Sequence, residues 1–292
     1  MNRLSIQERA RIIGCLVEGN SMRSTSRLMD VSINTVTKLL VDAGTACADY
    51  QDANIRNVAS KRVECDEAWC FCAMKEKNVP ADKKGLLGFG DVYTWIAIDS
   101  DSKLAISWLV GRRDAQYAHA FMRDVAARLS NRVQLSTDGH HCYLEAVERA
   151  FGRDIDYGML IKVYGSPAGQ ENERRYSPAE VSETIKRPVS GNPNISKIST
   201  SYVERQNLTL RMGMRRFTRL SNGYSKKIQN LEHAVDLHYM FYNYARIHKT
   251  LRVTPAMAAG LSDHVWSLEE IAALMPEPVA GPRGPYKKKN SN

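Results

Sequence analysis

The stretch Lys61-Arg-Val-Glu-Cys-Asp-Glu-Ala-Trp-Cys-Phe71 alternates in a way that is typical of a β-strand. In a strand successive side chains point to opposite faces, so Asp66 would share one face with Glu64 while Glu67 would lie on the other. The rest of the fold can be worked out from this segment.

Strands and helices alternate after it. A Lys- and Gly-rich loop at residues 75–90 separates the first strand from two more, which the turn Asp99-Ser-Asp-Ser102 joins into a hairpin. In order, the periodicity predicts strands at Val92–Ile98 and Leu104–Val110, a helix at Ala115–Leu129, a strand at Arg132–Thr137 and a helix at His141–Phe151. This order of strand, hairpin, helix, strand and helix is that of a ribonuclease-H-like fold, an α/β class with a mixed sheet flanked by helices.

Three acids fall where these elements would deliver them to one point. Asp66 lies on the first strand, Asp138 follows the strand ending at Thr137, and Glu204 lies in the first turn of a helix that begins near Tyr202. Each has an ordinary alternative. Asp66 has Glu64 and Glu67 as rivals on the same strand. Asp138 could form a turn before Gly139, and Glu204 could be an acid favoured by the helix dipole. In an open α/β sheet, sites form at the ends of strands, which favours a common role for the three.

Three converging carboxylates suit a particular chemistry. Displacement at a phosphodiester requires an activated nucleophile and a stabilised leaving oxygen, and two divalent ions about 3.5–4 Å apart can serve both. Mg²⁺ prefers hard oxygen ligands and is commonly bound by a few carboxylates together with substrate phosphates. The pattern predicts two Mg²⁺ ions at Asp66, Asp138 and Glu204.

The first 45 residues predict three short helices. A stripe of apolar residues from Ile6 to Val17 makes the first, a second begins at Met22, and Ser32 can cap a third that ends at Gly44. Two short helices joined by a tight turn after a longer one outline a helix-turn-helix, whose last helix would present Asn34, Thr35 and Lys38 to DNA. A three-helix packing unit without a DNA role is the alternative.

Charge and composition favour a polyanionic partner. The chain has 292 residues with 41 Lys+Arg against 32 Asp+Glu, a net charge of +9. The helix that begins near Tyr202 is strongly basic, and four of its arginines are candidates for phosphate contacts: Arg205, Arg211, Arg215 and Arg216. They could equally form a solvated face.

Compartment and cysteine usage agree with each other. No apolar run approaches the ~18 residues that span a bilayer, and the N-terminus lacks an apolar signal core, so we expect no membrane association and a cytosolic protein.

Cys65, Cys70 and Cys72 cluster, but they contain no Cys-x-x-Cys pair, so buried strand thiols are favoured over structural zinc.

Several segments resemble the DDE transposases. Val63-Glu-Cys-Asp-Glu67, Leu135-Ser-Thr-Asp-Gly139 and Val203-Glu-Arg-Gln-Asn-Leu-Thr-Leu-Arg211 look like the three acidic motifs of that family, and the last is most similar to the insertion-sequence-one branch. Met214-Arg-Arg-Phe-Thr-Arg-Leu-Ser-Asn-Gly-Tyr-Ser225 and Tyr242-Asn-Tyr-Ala-Arg-Ile-His-Lys-Thr-Leu251, followed by Thr254-Pro-Ala-Met-Ala-Ala-Gly260, are similar too. The resemblance covers roughly residues 60–260.

The resemblance implies a function and a set of partners. Asp66, Asp138 and Glu204 would be the catalytic acids and would bind Mg²⁺ or Mn²⁺. The protein would bind the terminal inverted repeats of a bacterial insertion sequence, cleave a strand at each end and join the freed 3′-hydroxyl to target DNA. Both ends must be held together, so we expect at least a homodimer on double-stranded DNA, associated with the bacterial nucleoid.

The expected organisation has five parts. They are a helix-turn-helix domain at 1–45, a linker at 46–60, a catalytic domain at 61–250 with a mobile loop at 166–200, a closing segment at 251–280 and a disordered basic tail at 281–292.

His140 and His141, beside Asp138, could assist proton transfer or contact the phosphate, though a structural role is favoured. A repressor that kept the helix-turn-helix without catalysis, and a phage-type integrase or nuclease, are the alternative functions.

Overall fold

The computed structural model describes residues 4–165, 181–218 and 222–276. Its central element is a six-stranded mixed sheet. The strands are β1 (Arg62–Cys72), β2 (Gly90–Asp99), β3 (Ala105–Gly111), β4 (Gln134–Asp138), β5 (Asp156–Tyr164) and β6 (Val181–Ser190). They lie in the order β3-β2-β1-β4-β5-β6.

The alternating segment is β1, and it lies inside the sheet. It pairs antiparallel with β2 on one side and parallel with β4 on the other. The predicted hairpin of β2 and β3 is confirmed, and the Asp99 carboxylate holds its turn by accepting the backbone N–H of Ser102 at 3.1 Å. β5 runs parallel to β4, and β6 runs antiparallel to β5 at the edge.

Helices flank the sheet on both faces. α4 (Ala115–Arg128) and α5 (Cys142–Phe151) pack against each other, and the ring of Tyr143 contacts Trp95 on one face of the sheet. α6 (Ser201–Gly213) packs against β1 on the other face. The predicted α/β architecture, a mixed sheet flanked by helices, is confirmed.

The segment predicted as a mobile loop at 166–200 contains a strand. Residues 166–180 lie outside the described part of the chain, but Val181–Ser190 forms β6 and Ile195–Lys197 forms a short 3-10 turn. Nearly every side chain of β6 is exposed, because the strand is held at the sheet edge by backbone hydrogen bonds. A strand of this kind needs no apolar face, so its polar composition does not distinguish it from a loop.

Three helices precede the sheet: α1 (Ile6–Val17), α2 (Met22–Leu28) and α3 (Ile33–Asn54). Ser32 caps α3 as predicted, with its hydroxyl accepting the N–H of Thr35. The predicted end of this helix at Gly44 is wrong, because α3 continues to Asn54 and takes up much of the predicted linker. Cys47 and Gln51 continue the buried stripe of α3, and that packing outweighs the low helix propensity of glycine.

C-terminal helices complete the core. α7 (Ile228–Met240) runs into a π-helical turn at Phe241–Ala245, and two short helices follow, α8 (Pro255–Ala258) and α9 (Leu268–Ala273). α3 packs on α7 and α1 packs on α9, so the N-terminal helices share one continuous apolar core with the sheet. Within the described residues, no helix is long and apolar enough to cross a membrane. The predicted tail at 281–292 lies outside the described residues.

Candidate functional site

Two of the predicted acids are neighbours across adjacent strands. Cys65 of β1 pairs with Thr137 of β4, so Asp66 and Asp138 follow side by side. One carboxylate oxygen from each, together with one from Glu67, lies within 4.8 Å of the others. Three carboxyl groups at this spacing can hold a divalent cation.

Glu67, which the strand pattern places on the opposite face from Asp66, is also a member of this acidic cluster. Its side chain is buried, and burial raises the pKa of its carboxyl group. Arg113, in the loop between β3 and α4, offsets that cost: Nε donates to Glu67 Oε2 at 2.9 Å, and Nη2 donates to Asp138 Oδ2 at 3.2 Å. The only sequence signal for Glu67 was its position directly after Asp66 in the predicted strand.

The electrostatics of Asp66 reflect the convergence of like charges. Burial, the charge of Glu67 and, with smaller effect, those of Asp138 and Glu204 raise the pKa of Asp66 to about 7. Asn207 Nδ2 donates to Asp66 Oδ2 at 2.7 Å, so one carboxylate oxygen is already oriented. A divalent metal ion bound here would offset the repulsion between these carboxylates, so the cluster is suited to hold one.

This arrangement predicts a pH dependence of the metal-free protein. A folded pKa of about 7 lies above the ordinary 3.8, so the native state holds a proton that the unfolded state releases. The contribution of Asp66 to stability is therefore complete below pH 3.8 and is lost as the pH rises through about 7. We expect urea unfolding of Asp66→Asn to lose on the order of 3 kcal/mol less than the wild-type protein over this window, and we expect Mg²⁺ to restore that stability only where Asp66 is present.

Asp236 provides the control for that experiment. Burial also raises its pKa to about 7, but it lies on α7 and accepts a hydrogen bond from Trp108 Nε1 at 2.9 Å. Asp236→Asn should flatten the same pH profile without changing the response to Mg²⁺. If Asp66→Asn keeps the wild-type response to Mg²⁺, Asp66 is not a metal ligand.

The third predicted acid, Glu204, lies in the first turn of α6 beside this cluster. Its Oε1 accepts a hydrogen bond from Thr200 Oγ1 at 2.5 Å and pairs with Lys162 Nζ on β5. Glu204 is about two-fifths exposed, and its charge reaches Asp66. All three predicted acids therefore lie in one region. Glu204 does not belong to the group of Asp66, Glu67 and Asp138, whose carboxylate oxygens lie within 4.8 Å of one another.

Glu64 positions the helix that carries Glu204. Its Oε2 accepts the backbone N–H groups of Tyr202 at 2.7 Å and Val203 at 3.1 Å, which are unpaired donors of the first helical turn. Glu64 shares the face of β1 with Asp66, so the strand that supplies one acid also orients the helix that supplies another. The sequence contained no indication of this role.

Removing that contact should affect stability and the site together. Glu64→Ala leaves one buried and one partly buried N–H group without an acceptor, and we expect a loss of about 2 kcal/mol in the free energy of unfolding. Glu64→Gln keeps one acceptor oxygen and should lose about half as much. Urea denaturation of both variants tests this, and an Ala variant as stable as the Gln variant would contradict the capping role.

His140 and His141 lie beside the acidic cluster. The backbone N–H of His140 donates to Asp138 Oδ1 at 2.9 Å, and burial together with Arg113 lowers the pKa of its imidazole. The two rings stack with centroids 5.1 Å apart. Together with Cys142, the two histidines form a second group whose ligand atoms could hold a metal ion.

The residues predicted to contact DNA have different surroundings. Asn34 and Lys38 are exposed on α3, where Lys38 pairs with Asp42, and Thr35 is half-buried. Of the arginines, Arg205 and Arg215 are exposed, Arg211 is half-buried and Arg216 is largely buried. Arg205 is exposed beside Glu204 and could contact a phosphate at the acidic cluster. Arg216 is largely buried and could contact only a ligand bound in a cleft.

The three strand cysteines do not face one another. Cys65 points to one face of β1 while Cys70 and Cys72 point to the other, and all three thiols are buried and free. Burial raises the pKa of each, to about 12 for Cys70, which disfavours the thiolate that zinc requires. Among the described residues, no group that could hold a metal ion includes them.

Comparison with known proteins gives distant likenesses only. No family model and no curated protein matches the chain. Solved structures that it resembles include a pre-cleavage Mos1 transpososome, at 11% identity and a TM-score of 0.23 over 54% of this chain and 60% of that one. A piggyBac transposase synaptic complex with hairpin DNA matches at 10% identity and a TM-score of 0.40 over 92% of this chain and 70% of that one. The chain thus spans less than two thirds of the chain in that transpososome, and similarity at this level does not assign it to a family.

Proposed function

We propose that the protein is a DNA transposase of the insertion-sequence-one type, which cleaves and joins DNA strands at its acidic cluster. The observation that carries this proposal is the meeting of Asp66, Glu67 and Asp138 within 4.8 Å on the adjacent strands β1 and β4, with Glu204 beside them on a helix that Glu64 orients. An acidic cluster in a basic protein suits a polyanionic substrate only if cations intervene.

The proposed metal ligands are Asp66, Asp138 and Glu204, for Mg²⁺ or Mn²⁺. Two bound divalent ions would supply an activated nucleophile and charge compensation at the leaving oxygen. In the protein itself Asn207 orients Asp66 and the backbone of His140 orients Asp138. Arg113 pairs with both Glu67 and Asp138, but the Glu67 side chain is almost fully buried while that of Asp138 is partly exposed. We therefore propose that Glu67 raises the local negative potential and is not a primary metal ligand.

Two cations neutralise the acids when the metal is absent. Arg113 bridges Glu67 and Asp138, and Lys162 pairs with Glu204. Both side chains are partly exposed, so each can turn to a DNA phosphate when a divalent ion takes over its carboxylate. Arg205 is exposed one residue after Glu204 and would contact the same strand.

The N-terminal helices are proposed to bind the terminal repeats. In this proposal α2 and α3 act as a helix-turn-helix with Asn34, Thr35 and Lys38 toward the major groove. Because α3 packs on α7, a repeat bound there would be held at a defined position relative to the acids. At least two copies of the chain would be needed to hold two element ends.

The test is an assay of the intact protein on duplex DNA carrying the repeats that flank its gene. With Mg²⁺ or Mn²⁺ we expect a cut that leaves a 3′-hydroxyl and, with target DNA present, joined products; with EDTA we expect binding alone. Repeat-specific binding with no cutting in any metal would favour a repressor. Cutting without joining, irrespective of the repeat, would favour a nuclease of the same fold.

A further inference from the structure

A cleft of about 610 Å³ lies between the N-terminal helices and the segment that follows α6. Its apolar lining includes Leu16 and Val17 of α1, Ile33 and Leu40 of α3, and Leu237 of α7. A cleft of this size can hold a single nucleotide or another small ligand. It is separate from the acidic cluster, whose residues are not in its lining.

The charge lining the cleft has one sign. Four cationic residues line it, and no Asp or Glu occurs among the lining residues of the described chain. The four are Arg23, Arg215, Arg216 and Lys226. Three side-chain amides, those of Asn20, Asn222 and Asn230, supply donors and acceptors in the same walls. The chemistry that complements such a lining is an anion attached to a flat apolar group with polar edges.

Arg216 is the strongest indication of an anion. Its guanidinium is largely buried, and burial lowers its pKa. Within the described residues its guanidinium donates to two uncharged groups, Ser225 Oγ at 2.9 Å and Met22 Sδ at 3.3 Å. Burying a guanidinium without a nearby carboxylate costs desolvation free energy. A phosphate bound to Arg216 would offset that cost by pairing with the charge.

A second depression continues the same surface. It shares Arg215, Asn222 and Tyr224 with the cleft and adds Lys75 and Lys77, again with no acid among its lining residues in the described chain. α6 connects the cleft to the acidic cluster, because its C-terminal end leads directly to Met214 and Arg215 in the cleft wall. From Glu204 to Gly213 the helix rises about 14 Å, a distance that roughly four nucleotides of a strand cover.

We propose that this cleft binds one unpaired nucleotide of a DNA strand whose remainder runs along α6 toward the acidic cluster. The phosphate lies at Arg216 with Arg23 and Lys226 beside it, and the base lies against the apolar wall with its polar edge toward the asparagines. The inference rests on the proposed function for the identity of the polymer, and it adds a binding site at a distance from the chemistry.

Binding without metal tests the cleft separately from catalysis. We would measure the dissociation constant of the full chain for a short single-stranded oligonucleotide in EDTA over a range of salt concentrations. The double variant Arg23→Gln/Lys226→Gln changes two exposed cations of the cleft, and Arg11→Gln/Lys249→Gln changes two exposed cations that do not line it. We expect binding to weaken about tenfold in the first, with a salt slope reduced by about 1.4, and to change less than about twofold in the second.

The base is tested by moving a single abasic position along the oligonucleotide. One position should weaken wild-type binding about fivefold or more, as loss of one base contact would. Equal affinities of the two double variants, or no abasic effect at any position, would overturn the proposal. So would free deoxyadenosine monophosphate binding as tightly as the strand, because the occupant would then be a free nucleotide. None of these results depends on cutting, so a protein that fails to cleave DNA can still support or refute the cleft.

Discussion

Asp138→Asn and Asp66→Asn are each expected to reduce metal-dependent strand cleavage by at least about 1000-fold while leaving DNA binding intact. Asparagine keeps the size of aspartate but loses the charge that holds a divalent cation, and Asp138 is partly exposed, so its replacement should not disturb the core. Cleavage on repeat-bearing DNA and binding in EDTA are the two measurements. The comparison separates loss of chemistry from loss of recognition.

Asp114→Asn is a suitable control for these variants. Asp114 caps α4 by accepting the N–H of Tyr117 at 3.1 Å, an interaction that asparagine can replace, and it follows Arg113 in the chain. It should retain cleavage within about threefold of wild type. If Asp138→Asn cleaves as well as Asp114→Asn does, the acidic cluster is not the catalytic centre and the proposed function fails.

Gly44→Ala is expected to cost about 3 kcal/mol of stability. A β-carbon at position 44 would lie 2.4 Å from His233 Cβ and 2.6 Å from its Cα and carbonyl oxygen. These are main-chain and near-main-chain atoms, so relief requires α3 and α7 to separate. In an unobstructed helix the same change would stabilise by about 1 kcal/mol.

Gly14→Ala is the matched helix-interior control. The nearest atom to its new β-carbon would be Leu268 Cδ1 at 3.0 Å, the end of a side chain that can move, so we expect a change within about 1 kcal/mol. Chemical denaturation of both variants measures the difference. A Gly44→Ala protein as stable as wild type would show that α3 and α7 do not approach this closely. It would also remove the argument that the N-terminal helices are fixed relative to the acids.

The sequence by itself determined the elements whose signals are local. The alternation at 61–71 predicted β1, the turn at Asp99 predicted the hairpin, and the order of elements predicted a mixed sheet flanked by helices. Asp66 and Asp138 could be placed side by side because each occupies a strand, and two strands of this order are neighbours. Side-chain periodicity and turn chemistry are properties of a few consecutive residues, which is why they can be read without the fold.

Tertiary structure decided what depends on residues distant in the chain. Glu64 caps α6 and Arg113 joins Glu67 to Asp138 only because the sheet brings segments far apart in sequence into contact. α3 passes through Gly44 because α7 covers it, and β6 forms because β5 offers a free edge. Burial of Arg216 likewise arises between α2 and the segment after α6. Long-range packing and hydrogen bonding outweigh local propensity at each of these positions, so no local pattern could have revealed them.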